Sequence, residues 1–185
     1  MNTPGQHPRH LETARLTLHP WSPAHILTLI DEPEQFPKRV GFTLADGLRD
    51  SFIGPEVSPA WVAALRATKG PDPWLGFFAV PRESNVIIGT IGFTGPPTPE
   101  GVVEIAYGFA PAFQGQGYAT EAAAAVTQFA LSASGVERVR AHTLPAANAS
   151  TRVLTKCGFE RVDEVIDPHD GLIWRWERTT TRGTS

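Results

Sequence analysis

The chain has 185 residues, of which 41% are hydrophobic and 19% are charged, and its formal net charge is −3. This length suits one domain with a substantial core, and the charge argues against a nucleic-acid-binding protein that relies on a broad basic face. No apolar run approaches the roughly 20 residues of a membrane span, the polar N-terminus lacks a secretory signal, and a single cysteine cannot form an intrachain disulfide. We therefore expect a cytoplasmic protein with neither a nucleic acid nor a membrane as partner.

The first part of the chain predicts short elements separated by proline and glycine. Residues 1–10 are polar and are interpreted as a flexible leader, and the apolar–polar alternation over 15–20 predicts a strand. Helices are predicted to begin at Ser22-Pro23 and at Ser58-Pro59, because serine caps a helix and proline suits its first turn. Between them, residues 31–58 contain too many prolines and glycines to predict a regular element.

The pattern changes after residue 73 to strands, a long helix and a strand–helix–hairpin ending. Apolar and β-branched runs predict an antiparallel meander, and the strand after the long helix is predicted to pair in parallel with the strand before it. The predicted strands are 74–80, 86–93, 102–109, 136–143, 159–166 and 172–179. The predicted helices are 117–134, ended by Gly135, and 149–157, ended by Gly158. Residues 180–185 are predicted to be a disordered tail.

Residues 114–119 read Gln-Gly-Gln-Gly-Tyr-Ala and connect the strand over 102–109 to the long helix. Glycine allows a tight turn and a close approach to a ligand, and the helix N-terminus offers free N–H groups and a partial positive charge. These features favour a phosphate site, although a simple tight connection is the alternative. The third glycine of the dinucleotide fingerprint is replaced by Thr120, and the lysine of the nucleoside-triphosphate loop is absent.

Two motifs at this separation carry a family resemblance. Gln114, Gly117 and Ala119 match the pattern Arg/Gln-x-x-Gly-x-Gly/Ala, and Asn148-Ala149-Ser150 with residues 154–159, LTKCGF, match a second motif. Together they resemble the GNAT superfamily of acetyl-CoA-dependent N-acetyltransferases. Residues 11–18, LETARLTL, and 117–122, GYATEA, are similar to its RimJ/RimL-type branch of ribosomal-protein α-amino acetyltransferases.

The resemblance covers about residues 11–177 and implies a fold and a cosubstrate. The implied fold is a single α/β (α+β) GNAT domain over 11–179, with a mixed, mostly antiparallel sheet of about seven strands flanked by helices. The implied cosubstrate is acetyl-CoA, with its pyrophosphate on the turn and its pantetheine arm in the splay between the central strand and the next parallel strand, on the backbone of Phe109 and Ala110. The predicted cofactor-binding residues are Phe109, Ala110, Gln114, Gly115, Gln116, Gly117, Tyr118, Ala119, Thr120 and Asn148. Asn148 is also a predicted helix N-cap, and both roles are compatible.

Glu104 is the predicted general base. Strand alternation places Glu104, Ala106 and Gly108 on one face, so the carboxylate shares its face with small residues and can look into an open cleft. Many GNAT enzymes use a glutamate on this strand, often through water, to take the proton of the amine. The alternative is a solvated glutamate near the start of a strand.

Ser150 is the predicted partner of the departing thiolate. The tyrosine that serves as the acid in many GNAT enzymes corresponds to Leu154 here, and a serine at the Asn-x-Ser position is a proposed proton donor in the ribosomal-protein branch. Helix capping is the alternative role for Ser150. Cys157 with His142 as base is a weaker hypothesis, and the histidines show no metal-ligand spacing, so no metal site is predicted.

The predicted activity is therefore direct acetyl transfer from acetyl-CoA to a primary amine in a ternary complex. A small-molecule amine and a protein N-terminus both remain open as the acceptor, and many members of the family are dimers, which leaves a homodimer open. A non-catalytic acyl-CoA-binding module or sensor is the alternative function, and a nucleotide-binding protein is a third.

Overall fold

The computed structural model describes residues 10–50, 58–68, 72 and 74–180. The predicted leader, apart from His10, and the predicted tail, apart from Thr180, lie outside the described residues. The strands are β1 Leu11–Glu12, β2 Leu16–Pro20, β3 Thr43–Leu44, β4 Gly76–Pro81, β5 Val86–Ile87, β6 Gly89–Phe93, β7 Val102–Phe109, β8 Arg138–Thr143, β9 Glu160–Asp167 and β10 Gly171–Thr179. The helices are α1 Pro23–Asp31, α2 Phe36–Val40, α3 Pro59–Ala67, α4 Tyr118–Ser132 and α5 Ala149–Lys156, with 3₁₀ turns at Pro33–Gln35 and Pro111–Phe113.

Eight of the strands form one sheet in the order β1-β2-β4-β6-β7-β8-β10-β9. Every neighbouring pair is antiparallel except β7 and β8, which are parallel because α4 forms the crossover between them. The predicted mixed, mostly antiparallel sheet is confirmed. It contains eight strands rather than about seven, because Leu11 and Glu12 pair with Leu18 and Thr17 at one edge.

Helices cover both faces of this sheet, so β4 is apolar on both sides. Phe77 contacts Phe129 of α4, whereas the adjacent Phe78 contacts Phe36 at the start of α2. Residues that are register partners on neighbouring strands lie on the same face of the sheet. Phe77, Ile91 and Tyr107 therefore lie on the α4 face. Phe78, Thr90 and Gly108 lie on the α1–α2 face. Glu104 therefore lies on the α1–α2 face, by alternation along β7.

The long helix packs closely on the sheet because its inner face is small. The fully buried residues of α4 are Ala122, Ala123, Val126, Thr127 and Ala130. The helix ends at Ser132, two residues before the predicted end, with Ala133 as its C-cap. The prediction of Gly135 as the cap is therefore wrong; Gly135 has a φ of 83° and forms the turn into β8. Among the described residues, no helix has the length and apolar character needed to span a membrane.

The region that was least readable from sequence forms part of the α1–α2 face. Phe36 is 1% exposed, and α2 ends at Gly41, whose φ of 83° suits a left-handed C-cap. Strand β3 pairs in parallel with β5. The single strand predicted over 86–93 is therefore divided into β5 and β6. At the break, Ile88 donates its N–H to Ala79 and accepts the N–H of Ala110.

The pairing of β7 with β8 stops halfway along β7. The two strands are in register only from Val102 with Arg138 to Glu104 with Arg140, although β7 continues to Phe109. The sheet is therefore open between the C-terminal half of β7 and the end of β8. This opening joins the two faces of the sheet at its centre.

Candidate active site

The Gln-Gly-Gln-Gly turn has the backbone geometry of an anion site. Gly115 and Gly117 have φ values of 72° and 85°, which side-chain-bearing residues rarely adopt, and α4 begins at Tyr118 with Gly117 as its N-cap. In the described part of the chain, the N–H groups of residues 115–120 donate to no protein acceptor. The helix dipole adds partial positive charge at the same place, so the turn can hold a phosphate without lysine.

Arg15, next to β2, holds this turn from outside. Its guanidinium donates to the carbonyl of Gln116 at 3.0 Å and to the Glu121 carboxylate at 2.8 Å, and lies 4.4 Å from the ring centre of Tyr118. Glu121 also accepts the N–H of Arg15 at 2.6 Å and the hydroxyl of Thr13. Because the Gln116 carbonyl is held on this outer side, the turn presents its N–H groups rather than its carbonyls to the interior.

The same contacts set the charge of Glu121. Burial raises the pKa of its carboxyl, but the hydrogen bonds from Thr13 and Arg15 outweigh this effect and leave the pKa below its ordinary value. Glu121 is therefore ionised at neutral pH and keeps Arg15 in place.

The end of β7 is arranged for contact with an amide-containing chain. Ala110 donates its N–H to Ile88, so alternation directs the N–H and carbonyl of Phe109 toward the opening beside β8. The Gln114 side chain donates to the Phe109 carbonyl at 2.8 Å, which leaves the Phe109 N–H as the donor that faces the opening. The Gln114 side chain thus fixes the strand end, and its role in cofactor binding stays a prediction.

A cavity of about 400 Å³ lies between this strand end, the turn and α5. The predicted turn residues other than Gln116 line it, as do Phe109 and Ser150. Gln116 instead donates its side-chain amide to Ala112 at 2.8 Å. Ala110, Asn148 and Glu104 also lie outside the cavity wall.

Asn148 and Ser150 lie at the N-terminus of α5. Asn148 caps this helix: its Oδ1 accepts the N–H of Thr151 at 3.0 Å, and its own N–H donates to the Thr151 hydroxyl. Ser150 makes no such cap. Its Oγ lies 2.9 Å from the hydroxyl of Tyr107, which projects from β7 on the same face.

Tyr107 is a cavity residue that sequence reasoning missed. Burial raises the pKa of its hydroxyl, against the smaller opposing effect of the Ser150 hydrogen bond, so it stays protonated at neutral pH. Leu154, at the position of the tyrosine acid in the related enzymes, is fully buried. The hydroxyl pair of Tyr107 and Ser150 thus supplies two O–H groups to the cavity wall.

On the opposite face, Glu104 contacts a residue that the sequence did not connect with it. Its Oε1 lies 2.9 Å from Nδ1 of His142 on β8, at the start of the opening between the strands. Arg140, the register partner of Glu104, is directed instead to Glu177 at 2.6 Å. The sequence contained a signal for this contact. Residues two apart on a strand share a face, so His142 lies on the same face of β8 as Arg140, the register partner of Glu104.

The structure separates Cys157 from His142. Cys157 is buried on the helix side, where its thiol donates to the carbonyl of Thr120 at 3.4 Å, and burial raises its pKa. A buried thiol with a raised pKa is a poor nucleophile. The proposed Cys157–His142 pair is therefore not formed.

Two cations complete the cavity wall. Arg152 and Lys156 lie four residues apart on α5, line the cavity and are exposed, and neither has an ion-pair partner among the described residues. Sequence reasoning missed both, because their common face became apparent only once the helix was placed beside the turn.

The comparisons with known proteins decide the family. A model of the acetyltransferase (GNAT) domain matches residues 15–160. The chain belongs to the GNAT acetyltransferase family. The uncharacterized N-acetyltransferase YjdG of Bacillus subtilis is 34% identical over 92 residues, which are 50% of this chain and 53% of YjdG. The chain thus spans about half the length of this curated GNAT relative.

Solved structures share the fold over nearly the whole chain. The ribosomal-protein-S5-alanine acetyltransferase from Vibrio fischeri has a TM-score of 0.65 at 15% identity, covering 94% of this chain and 97% of that one. Mycobacterium smegmatis RimJ, solved with CoA-disulfide, has a TM-score of 0.64 at 16% identity, covering 97% and 93%. At such identities these GNAT neighbours establish the fold alone.

GNAT acetyltransferases use acetyl-CoA, and the residues present here fit it. The N–H groups of residues 115–120, which have no acceptor among the described residues, suit a pyrophosphate, and the Phe109 N–H suits a carbonyl of the pantetheine arm. The hydroxyls of Tyr107 and Ser150 lie along the same cavity wall.

Proposed function

We propose that the chain is an acetyl-CoA-dependent N-acetyltransferase that moves an acetyl group directly to a primary amine in a ternary complex. The turn over residues 114–119 is called the phosphate turn from here on. The supporting observation is that the phosphate turn, the cavity and the opening between β7 and β8 follow one another without interruption. A ligand held at the turn reaches the centre of the sheet through this cavity. An amine bound on the α1–α2 face can attack the acetyl group of this ligand at the centre of the sheet, so that no covalent enzyme intermediate is needed.

Three groups of this chain carry the chemistry in this proposal. Glu104 takes the proton that the ammonium must lose before its nitrogen attacks the thioester carbonyl. A backbone N–H of the central strand β7 stabilises the negative charge that develops on the carbonyl oxygen. Ser150 donates a hydrogen bond to the sulfur as the carbon–sulfur bond breaks and the thiolate departs. The nitrogen loses two protons in all: one ends on the sulfur to give the thiol, the other leaves through Glu104, and the acetylated nitrogen becomes the amide.

Cofactor binding is likewise divided among separate groups of the chain in this proposal. The N–H groups of residues 115–120 hold the pyrophosphate, while Gln114 fixes the strand end that the pantetheine arm contacts. Asn148 is proposed to contact the cofactor through its side-chain N–H₂, which has no partner among the described residues because the helix cap uses only its Oδ1.

The acceptor is an amine, and its finer identity is part of the proposal. Ribosomal-protein acetyltransferases among the structural neighbours, one of them an α-N-protein acetyltransferase, support a protein N-terminus over a small amine. A homodimer, which the resemblance to the family leaves open, is likewise a proposal.

Thiol release from acetyl-CoA, measured across a panel of small amines and short peptides with free N-termini, tests the activity. Glu104→Gln is expected to lower kcat by about 10²- to 10⁴-fold while CoA binding is retained. Glu160→Gln, on the exposed edge strand β9, is the matched control and should behave as wild type. CoA binding without thiol release from any acceptor would replace the enzyme by an acyl-CoA sensor.

A further inference from the structure

The contact between Glu104 and His142 closes the start of the opening in the sheet. These side chains come from the two parallel strands just where pairing stops, since Glu104 and Arg140 are the last register pair. His142 lies two residues beyond Arg140 and reaches back to Glu104 Oε1 at 2.9 Å. The side chains are 32% and 23% exposed, so the pair is partly shielded while Glu104 remains accessible.

The surroundings of the imidazole determine which nitrogen carries the proton. His142 Nε2 is buried and has no hydrogen-bond partner in the described part of the chain. A buried N–H without an acceptor is costly, whereas an N–H at Nδ1 has the Glu104 carboxylate as its acceptor. The neutral tautomer with its proton on Nδ1 is therefore favoured, and it donates to Oε1.

The cations nearest to this pair are directed elsewhere. Arg140, directly across from Glu104, donates to Glu177 at 2.6 and 2.9 Å. Arg175, the register partner of His142 on β10, lies 3.5 Å from Asp163. Among the described residues, the Glu104 carboxylate thus accepts a hydrogen bond only from His142, and its Oε2 has no partner there.

We infer that His142 is the positioning residue of Glu104: its Nδ1–H holds Oε1 and thereby presents Oε2 to the acceptor amine. This inference rests on the proposed function, in which Glu104 is the base. It assigns to β8 a role in catalysis beyond forming one side of the opening. His142 itself does not take the proton of the amine, since its remaining nitrogen is buried.

Three substitutions of His142 test this role. The side-chain N–H₂ of asparagine lies near the position of Nδ1, whereas that of glutamine lies near Nε2. His142→Ala and His142→Gln are expected to lower kcat about tenfold, with an unchanged KM for acetyl-CoA. His142→Asn is expected to recover most of the wild-type kcat.

A double-mutant cycle separates positioning from a general structural effect. The variant Glu104→Gln/His142→Ala should be no slower than Glu104→Gln alone, because the imidazole acts only through the carboxylate. Additive losses, or equal losses in the Asn, Gln and Ala variants, would overturn the positioning role. If His142→Ala fails to fold, the Asn and Gln variants, which keep a polar side chain of similar size, still decide it.

The two proposals fail in distinguishable ways. Wild-type kcat in Glu104→Gln would remove the base, and with it the proposed mechanism. A slow Glu104→Gln together with wild-type kcat in His142→Ala would remove only the role of His142.

Discussion

The two faces of β7 carry two different kinds of site. On the α4 face, the proposed cofactor region consists mainly of backbone N–H groups of one continuous segment, residues 115–120, and of the Phe109 N–H. On the α1–α2 face, the proposed acceptor region consists of side chains from separate strands, of which Glu104 and His142 are in contact. The first region depends on local backbone conformation, and the second depends on how β7 and β8 are placed.

This difference predicts a division of kinetic effects. Changes to the turn should weaken cofactor binding and leave the chemical step intact, because the turn is proposed to hold the pyrophosphate, a part of acetyl-CoA that does not react. Changes around Glu104 should slow the chemical step and leave cofactor affinity intact. Variants that mix the two effects would show that the faces are coupled.

The largest effect on binding is expected from Gly117→Ala. Gly117 has a φ of 85°, and a Cβ there would lie 3.3 Å from Arg15 Nη2, so alanine must shift the turn or strain it. A cost of about 1–2 kcal/mol corresponds to a roughly fivefold to thirtyfold weaker Kd for CoA. Isothermal titration measures the Kd.

Gly135→Ala is the matched control for backbone strain. Gly135 has nearly the same φ, 83°, but lies in the turn before β8, with open space around a Cβ. We expect a similar loss of Tm in both variants and a weaker Kd only in Gly117→Ala. Equal Kd values in the two variants would show that the turn is not the phosphate site.

The hydroxyl pair should give the next largest effect, on kcat. Tyr107 donates to Ser150 Oγ in the arrangement that leaves the Ser150 proton free for the sulfur. Ser150→Ala is expected to lower kcat about tenfold, and Tyr107→Phe about threefold, with little change in the KM for acetyl-CoA. Steady-state kinetics of both variants and of the double variant measure the coupling.

The double variant separates this chain of hydroxyls from independent effects. If Tyr107 acts through Ser150, the double variant should be no slower than Ser150→Ala. Multiplying losses would mean that each hydroxyl acts alone, and a wild-type kcat in Ser150→Ala would remove the thiolate role.

A smaller effect is expected from the two exposed cations of the cavity wall. Arg152→Gln and Lys156→Gln should each raise the KM for acetyl-CoA about twofold to fivefold, because exposed charges contribute only about 0.5–1 kcal/mol. The increase should diminish at high salt. Arg161→Gln, on the far hairpin over Trp174, is the charge-matched control. If the KM for acetyl-CoA does not depend on salt in any of these three variants, Arg152 and Lys156 make no contribution to acetyl-CoA binding.

The smallest effect on turnover, but a measurable one on stability, is expected from Glu121→Gln. The folded-state pKa of Glu121 is below its ordinary value of 4.5, so its stabilisation is present above that pH and is lost as the pH falls through the folded-state pKa. The difference in Tm from wild type should be full at pH 7 and shrink below about pH 4.5. A difference that is constant from pH 7 to pH 3 would contradict this account.

The same contrast explains how much could be predicted from sequence. The turn, its glycines and the helix that follows were predicted because all their determinants lie within about ten residues. The pairs Tyr107–Ser150 and Glu104–His142 were missed, because their members are 43 and 38 residues apart and meet only through the register of β7 with its neighbours.

The errors in the elements have equally local causes. Apolar and β-branched residues over 86–93 predicted one strand, but Ile88 bonds to two different neighbours there and divides it. The sequence predicts Gly135 as the helix cap because glycine favours positive φ, a property that the turn into β8 requires equally. The prediction that β7 presents Glu104, Ala106 and Gly108 on one face is confirmed, since alternation along a strand is independent of tertiary detail.

The contact of Arg15 with Gln116 spans 101 residues of chain. The phosphate turn is therefore supported only after the N-terminal strands have docked beside α4, late in any folding order in which local contacts form first. Ligand binding at the turn and docking of the N-terminal strands are therefore coupled. A ligand that binds this turn stabilises the docked strands by the same coupling free energy by which the docked strands strengthen ligand binding. Saturating CoA should therefore slow hydrogen exchange at the amide of Arg15, and removal of residues 1–15 should weaken CoA binding while leaving Glu104 and His142 in place.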